Sequence, residues 1–462
     1  MKMTYLISLV LFTASAAGAF AQNEKNPFKE RNAKTAEEAK SRPVNIISLF
    51  EYIEVPKQKL DHLLINSGEL EITREQAQKW VDAGESKVIR SSLTISLNTE
   101  KGRNESLVEV YRPTKYNSVG VGAWPVPASF VKQNLGFSED FELHINEDGK
   151  GIESRIVVDY SVLKEGPAIH PLVTKTREPE DVLMASLSHS SFTFANLSMK
   201  FGESYLIGRL EDVHSEGMSC LVFYKAAKWQ VPLLDSELRK GGSDVQQYTM
   251  HAHFVTVNQY GWSEIVSDTP LSELAESSWE KVLRLAKVGE AEFDGSLVMR
   301  SAHNHRAKAT NVTQIPFSLQ FAQSINKGGA SIPPLSVESA LVTVGPGGEM
   351  NNKELTLMAN HQQEEGLSLE FYCDFEQDGA YLKYFSAPKK SSLAGYSVHH
   401  RVRDGETWIP DAETPRIKSS TIHSAFMLTP NQMTLAGVLG GTDKDGKPDP
   451  KKLTLLFVEA KL

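Results

Sequence analysis

The sequence predicts a β-rich α+β fold made of two homologous domains, each a mostly antiparallel sheet arrangement with one or two packed helices. Three observations carry that expectation. Short apolar runs of strand length, bounded by glycine and polar turn residues, recur along most of the chain. A helical pattern containing a tryptophan follows the opening strand in each half. One stretch also occurs twice, as Ser190 to Glu211 (SSFTFANLSMKFGESYLIGRLE) and Ser419 to Gly440 (SSTIHSAFMLTPNQMTLAGVLG). The copies align without a gap at an offset of 229 residues, which brings Ser190, Ser191, Leu206, Gly208 and Leu210 onto Ser419, Ser420, Leu435, Gly437 and Leu439. Each copy reads as a strand, a polar turn (Phe201-Gly202-Glu203 or Pro430-Asn431-Gln432) and a second strand, the pattern of a β-hairpin.

At the N-terminus Lys2 precedes an apolar run from Tyr5 to Phe12, and Ala19-Phe20-Ala21 forms an A-x-A site before Gln22. The pattern predicts a signal peptide over 1–21 and a mature chain from Gln22. Its apolar run is too short to span a bilayer, which takes roughly 20 residues. No later apolar stretch reaches that length, so no transmembrane helix is expected after cleavage. Residues 22–43 are crowded with charge and poor in large apolar side chains, the composition of a disordered tether.

The first domain is expected over 44–228. Ile46 to Val55 (IISLFEYIEV) reads as a buried strand and is followed by the apolar segment Leu60 to Ile65. Thr73 to Ala83 (TREQAQKWVDA) begins with a capping residue, sets Ala77, Trp80 and Val81 on one helical face, and stops at Gly84. Strands follow at Leu93–Leu97, Leu107–Tyr111, Phe141–Ile145 and Ile156–Leu163. In the first of these, Leu93, Ile95 and Leu97 alternate with polar residues, as in a sheet with one buried face. The repeated stretch and a closing strand at Cys220–Tyr224 complete the domain.

Residues 229–247 form a linker around Gly241-Gly242, and the second domain takes 248–462. There Met250–Val257 answers the opening strand and Leu271–Ala286 the helix. Leu297–Met299, Ala340–Val344 and Leu367–Phe375 answer the middle strands, and Leu453–Val458 the closing strand, so that Leu455, Phe457 and Ala460 take the places of Leu221, Phe223 and Ala226. A period this long indicates a duplicated domain, not a solenoid.

This series resembles the C-terminal domain of bacterial secretins, the outer-membrane channels of secretion and pilus systems, in two tandem copies. Phe50 to Val55 is similar to the family's xVxxxxxEV opening strand, and Gly136 to Leu163 is similar to its middle pair, with an Asp148-Gly149 turn. Gly202 to Leu210 and Asn431 to Gly441 are similar to its glycine-ended hairpin strand, and Leu453 to Val458 to its closing strand. Two departures separate the chain from the channels. It lacks the proline-rich sequence before the closing strand, and it has no strand pair with a regularly alternating lipid-facing side. The resemblance implies a shared fold without implying a channel.

A net charge of −9 excludes a phosphate-binding surface as the governing feature, so no nucleic-acid partner is expected. Cys220 and Cys373, the only cysteines, occupy different places in the two copies and form either two separate buried thiols or one bridge. His251 and His253 share one face of a strand as two metal ligands would, but no third ligand stands at a recognisable spacing. His303-Asn304-His305 and His399-His400 share that shortcoming. Asp443, Asp445 and Asp449 begin like a calcium loop, lack its closing glutamate and lie among four lysines, which reads as a solvated hairpin loop. Ser161 to Lys164 fits S-x-x-K at the end of a strand, where the helix that would bring its ends together is missing. No catalytic, cofactor-binding or metal-binding residue is therefore assigned, and no cofactor is expected.

The one stretch that stands out as a candidate site is Val119 to Phe130 (VGVGAWPVPASF), apolar where loops are normally polar. Its Trp124, Pro125, Pro127 and Phe130 form either a docking loop or a flap folded back over its own domain. The expected function is that of a non-catalytic exported envelope protein, periplasmic or outer-membrane-associated. It would act by self-association or by docking onto an envelope partner, with at most peripheral contact with the outer membrane. The alternative is a periplasmic enzyme or small-ligand binder with its site between the two domains.

Overall fold

The structure is a computed structural model and describes residues 43–67, 72–117, 126–169, 184–211, 217–232, 247–302, 304–317, 321–325, 331–336, 361–376, 381–404 and 407–462, together with residues 213, 215 and 319. The expected signal peptide, the tether up to Arg42, the Gly241-Gly242 boundary and the Ala340–Val344 strand lie outside the described residues.

The opening strand, β1 (Asn45–Pro56), is apolar on both faces and takes a central place between β2 (Lys87–Leu97) and β8 (Met218–Trp229). Ile46, Phe50 and Tyr52 point into one core, while Ile53 and Val55 point the opposite way, toward Leu60, Ala77 and Trp80 of two helices. Those helices are α1 (Lys57–Ser67) and α2 (Arg74–Asp82), so the segment around Leu60 is helical. The Thr73 side chain caps α2 by accepting from the Gln76 backbone N–H, and Gly84 ends the helix at a φ of +71°. After β2 come four long strands, β3 (Lys101–Asn117), β4 (Val126–Ile145), β5 (Gly151–Ile169) and β6 (Met184–Lys200). The chain then crosses to β7 (Ser204–Glu211) and β8.

The second half follows with β9 (Gln247–Val257), α3 (Gln259–Ser267), a 3-10 turn at Leu271–Glu273, α4 (Leu274–Lys287), β10 (Ala291–Ala302) and β11 (Arg306–Phe317). A small hairpin of β12 (Phe321–Ile325) and β13 (Ser331–Ser336) precedes β14 (His361–Glu376), β15 (Tyr381–Asp404), β16 (Thr407–Leu428), β17 (Thr434–Thr442) and β18 (Pro448–Lys461). The helix expected over Leu271–Ala286 is thus broken near its start, where the 3-10 turn follows Pro270.

The strands make two eight-stranded sheets. The first has the order β10-β9-β18-β17-β2-β1-β8-β7 and the second β11-β14-β15-β16-β3-β4-β5-β6, antiparallel throughout. Each sheet therefore holds four strands of the second half beside four of the first. The seams are β17 against β2, where Gly437 and Val438 face Thr94 and Leu93, and β16 against β3, where Ile417 to His423 face Glu109 to Arg103. The sheets stack face to face around an aromatic core that includes Phe50, Tyr52, Phe137 and Tyr160 in one half and Tyr248, Phe371, Tyr384 and Phe426 in the other. The helices cover the far face of the first sheet. Cys220 and Cys373 are free thiols buried in separate core clusters.

The topology corrects one expectation. The repeated stretch is not a β-hairpin: β6 and β16 lie in the second sheet, while β7 and β17 lie in the first. The polar turn reverses the chain between layers, because β6 spends its ladder hydrogen bonds on β5 and β7 spends its own on β8. The two arms meet face to face instead, and the glycines permit that approach. A Cβ on Gly208 would collide with the Thr193 side chain, and one on Gly437 with Ile422.

The pairing pattern of one half recurs in the other. Ile53 lies between Val88 and Leu221, and Val255 lies between Phe293 and Leu455. Gly136 faces Leu107 and Ser161, and Gly366 faces Val312 and Ser391. Gly208 faces Val222 just after a register shift that follows Leu206, and Gly437 faces Leu456 just after a shift that follows Leu435.

Candidate functional site

Two features of this frame bear on function: a buried polar cluster at the seam and the four outer strand edges. The cluster begins with Arg90 on β2, which is completely buried although β2 otherwise presents mainly small polar and apolar side chains to the interior. Its guanidinium lies over the Phe137 ring, 4.5 Å from the centroid, and its Nε is 3.5 Å from Oε1 of the equally buried Glu139 on β4. Glu139 accepts hydrogen bonds from the Tyr52 hydroxyl (2.7 Å) and from the Ser92 hydroxyl (2.8 Å). Burial, and next the Glu139 carboxylate, push the Tyr52 phenol well above its usual range, so it stays a donor. Arg90 Nη1 donates across the seam to the Gly440 carbonyl at 2.6 Å. A Cβ on Gly440 would strike that guanidinium, which explains the glycine there. The cluster is buried, and its chemistry is that of a lock between strands of the two halves.

The edges are the opposite case. Among the described residues, no strand pairs with the outer side of β10 or β7 in the first sheet, or of β11 or β6 in the second. Native proteins normally guard such edges with charge, proline or short length. The 17-residue β6 carries no Lys, Arg, Asp, Glu or Pro from Met184 to Met199, and Phe192 and Phe194 on it are exposed. Exposed Phe293 and Val298 lie on β10. The row of main-chain donors and acceptors along β6, with apolar side chains beside it, is the form of edge that accepts another strand, while β7, β10 and β11 also carry charged residues.

The candidate loop is only partly within view. Trp124 and Pro125 lie outside the described residues, while Pro127 and Phe130 belong to β4 and face Tyr116 and Pro113 of β3. Phe130 is half-buried, edge-on to the His399 ring at 5.2 Å. Of the histidine pairs, His253 bonds to Ser296 through Nδ1 (2.6 Å) and stacks on Trp279, and His399 bonds to Thr414 through Nε2 (2.8 Å). His303 lies outside the described residues. In the acidic loop, Asp443 accepts from the backbone N–H groups of Asp445 and Lys447, and Arg416 pairs with Asp445 at 2.7 Å, which is the bonding of a closed turn. Ser161 lies on β5 with its hydroxyl 2.8 Å from that of Ser190, and position 164 is further along the same strand. Among the described residues no three His, Cys, Asp or Glu side chains converge as metal ligands would.

A cleft of about 420 Å³ opens where the α3 connection of the second half passes over β1 and β8. It is lined by Leu49, Lys225 and Val266 to Leu271, with Lys225 and Asp268 as its charged groups and no histidine or cysteine.

The seam cluster escaped the sequence reading because Tyr52, the Arg90 and Ser92 pair, and Glu139 come from three separate strands and match no local pattern. Carrying the repeat back to the opening strands would have found it, since the corresponding residues of the second half are apolar or glycine. No protein-family model matches the chain, and no curated protein matches it.

Proposed function

We propose that the chain is a non-catalytic exported envelope protein built of two homologous secretin-like domains, and that it acts in assembly or docking at the cell envelope. The observation that carries this reading is the pair of edges on each sheet that no strand among the described residues occupies, long and without charge until Lys200 in β6, on a frame whose internal strands each have neighbours on both sides. The duplicated ladders support the two-domain part. The bulge-and-glycine step recurs at Gly208 and Gly437, and the positive φ angles of Gly136 (+116°) and Gly366 (+134°) recur at matched places in the second sheet. The Lys2 to Ala21 pattern supports export, with the periplasm or the outer-membrane surface as destination. Tyr52, Ser92 and Glu139 bond with one another, and Arg90 bonds across the seam, without lining the cleft by Lys225, so the enzyme alternative gains no support from this cluster.

The test is fractionation of native membranes followed by sizing of the mature protein. The protein should sediment with envelope material or elute well above the mass of one chain. A soluble monomer bound to nothing would overturn the reading.

A further inference from the structure

The two ends of each sheet are the two sides of the molecule's own seam. By the matched ladders, β6 stands in the first half where β16 stands in the second, and β7 where β17 stands. In the same way β11 corresponds to β3, and β10 to β2. Inside the chain β16 pairs with β3 and β17 with β2. The outer edge of β6 is therefore the edge that in β16 is already mated, and the outer edge of β11 is the one mated in β3. The same holds for β7 and β10.

We infer that a second copy of this chain docks head to tail on the first, with β6 and β7 of one copy pairing with β11 and β10 of the next in the register of the internal seam. This rests on the assembly reading above and names its partner. Thr421 faces Glu105 at the seam, so Phe192 faces Thr310 between copies; Val438 faces Leu93, so Arg209 faces Val298. Exposure agrees with the assignment. Leu93 is 1 % exposed at the seam, whereas its counterpart Val298 is 59 % exposed at the end, and Phe192 is 63 % exposed. Docking would cover both.

One contact has no counterpart. Arg90 and Gly440 lock the internal seam, and the ladders place Gly295 and Glu211 at the corresponding ends, so the contact between copies lacks that lock and is the weaker of the two. Because the two faces differ, the interface is heterologous. Successive copies close into a ring if the rotation per copy allows it and otherwise extend as a filament.

Cysteine cross-linking of the full chain tests the arrangement, and the native thiols do not interfere because both are buried. Phe192→Cys and Thr310→Cys variants are made separately and mixed with a short bis-thiol reagent. Cross-linked dimer is expected only in the mixture, and the double variant in one chain should give a ladder of higher species. Phe192→Asp, a change at an exposed position, should lower cross-linking through a second cysteine pair, Ser190→Cys with Val312→Cys, by about tenfold or more, a factor worth about 1.4 kcal/mol. Dimers from Phe192→Cys alone would mean a symmetric β6–β6 contact and would overturn the head-to-tail arrangement. So would a protein that sediments with the envelope yet cross-links to other proteins and never to itself, an outcome that leaves the assembly reading standing. A soluble monomer without cross-links would remove both.

Discussion

The two halves fill one corner of the core in opposite ways. Tyr52, Arg90, Ser92 and Glu139 in the first half stand where the ladders put Phe254, Gly295, Leu297 and Leu369 in the second. Both sets are at least nine-tenths buried wherever a side chain is present to bury, and Phe254, Leu297 and Leu369 pack within the apolar core. The difference follows from what lies beside the corner. In the first half β2 meets β17, and Arg90 reaches across to the Gly440 carbonyl. In the second half, among the described residues, β10 is the last strand of its sheet and has no outer neighbour to reach. A buried ion pair is poor as a source of stability but good at specifying one arrangement, since any other pairing of β2 would strand a charge in the core. The comparison teaches that the internal seam is held by a polar lock, while the corresponding places at the ends, Gly295 and Glu211, lack it and β6 offers main chain and apolar side chains.

The sharpest way to break that comparison is Glu139→Leu, which copies Leu369 into the first half while leaving Arg90 in place. The guanidinium would lose its counter-charge and the Tyr52 and Ser92 hydroxyls their acceptor, a loss of about 3–5 kcal/mol for one member of a buried pair. Urea unfolding followed by tryptophan fluorescence reads it as a lower midpoint. Adding Arg90→Met to the same chain should return most of the stability, to within about 2 kcal/mol of the parent, because the second half shows that an apolar filling suits this place. If the double variant is as damaged as the single one, the corner needs the ion pair for folding and the equivalence of the two corners is wrong.

The next largest effect should be equal in the two halves. Gly136 and Gly366 hold positive φ angles at matched points of the second sheet, and a Cβ on either would strike a carbonyl oxygen of the adjacent strand, that of Ser106 or Asn311. Gly136→Ala and Gly366→Ala should each cost about 2–3 kcal/mol from backbone strain and steric displacement. Losses within about 1 kcal/mol of each other would support the repeat. A neutral Gly366→Ala beside a damaging Gly136→Ala would show that the matched angles hide different packing.

Much of this frame was legible from residues alone, and what was missed has physical causes. The Thr73 cap and the terminating Gly84 marked α2 because caps act through local hydrogen bonds and local φ. The like placing of Ser190 to Gly208 and of Ser419 to Gly437 in the ladders was legible because strand-facing serines and a close-approach glycine are constrained by neighbours at fixed pleats. The length of β3 to β6 was not. Expected strands of five to eight residues proved to be parts of strands of 17 to 20, extended by long-range ladder pairing that no local pattern marks. Turn chemistry also marked a reversal after Lys200 without telling whether the next strand joins the same sheet, because that choice is made by long-range ladders. The interleaving of the halves in both sheets, and with it the seam, depends on the same long-range pairing.

Acid should weaken the second half's contribution to the seam region by a smaller amount. Burial, assisted by Arg103, lowers His423 on β16 to about 4, and burial, assisted by Arg416, lowers His399 on β15 to about 4, from an ordinary value of 6.5. A histidine whose folded pKa lies below its unfolded one binds its proton more readily in the unfolded chain. The stability it lends is fully present above about pH 6.5 and is lost as the pH falls toward 4. His423 is only half-buried, so solvent screening reduces its share of the loss. Midpoints measured from pH 7 to pH 4 should fall, and His423→Gln should flatten part of that fall. The ladder gives Phe194 as the counterpart of His423, so no matching titration arises at the free edge.

Tyr52→Phe is the smallest change that sharpens the comparison, because it makes one position of the polar corner identical to its counterpart, Phe254. The hydroxyl donates to Glu139 Oε1 at 2.7 Å, and its removal leaves that carboxylate with the Ser92 hydroxyl and the Arg90 guanidinium. The ring keeps its edge-on contact with Phe137, so the apolar packing is unchanged. The expected loss is about 1–2 kcal/mol, the worth of one hydrogen bond to a charged acceptor, and it should vanish when Glu139 is already leucine. Such coupling in a double-mutant cycle would assign the tyrosine to the lock. A loss that persists in the Glu139→Leu background would mean that the hydroxyl serves the core independently of the seam, and that the lock consists of Arg90, Glu139 and the Gly440 carbonyl alone.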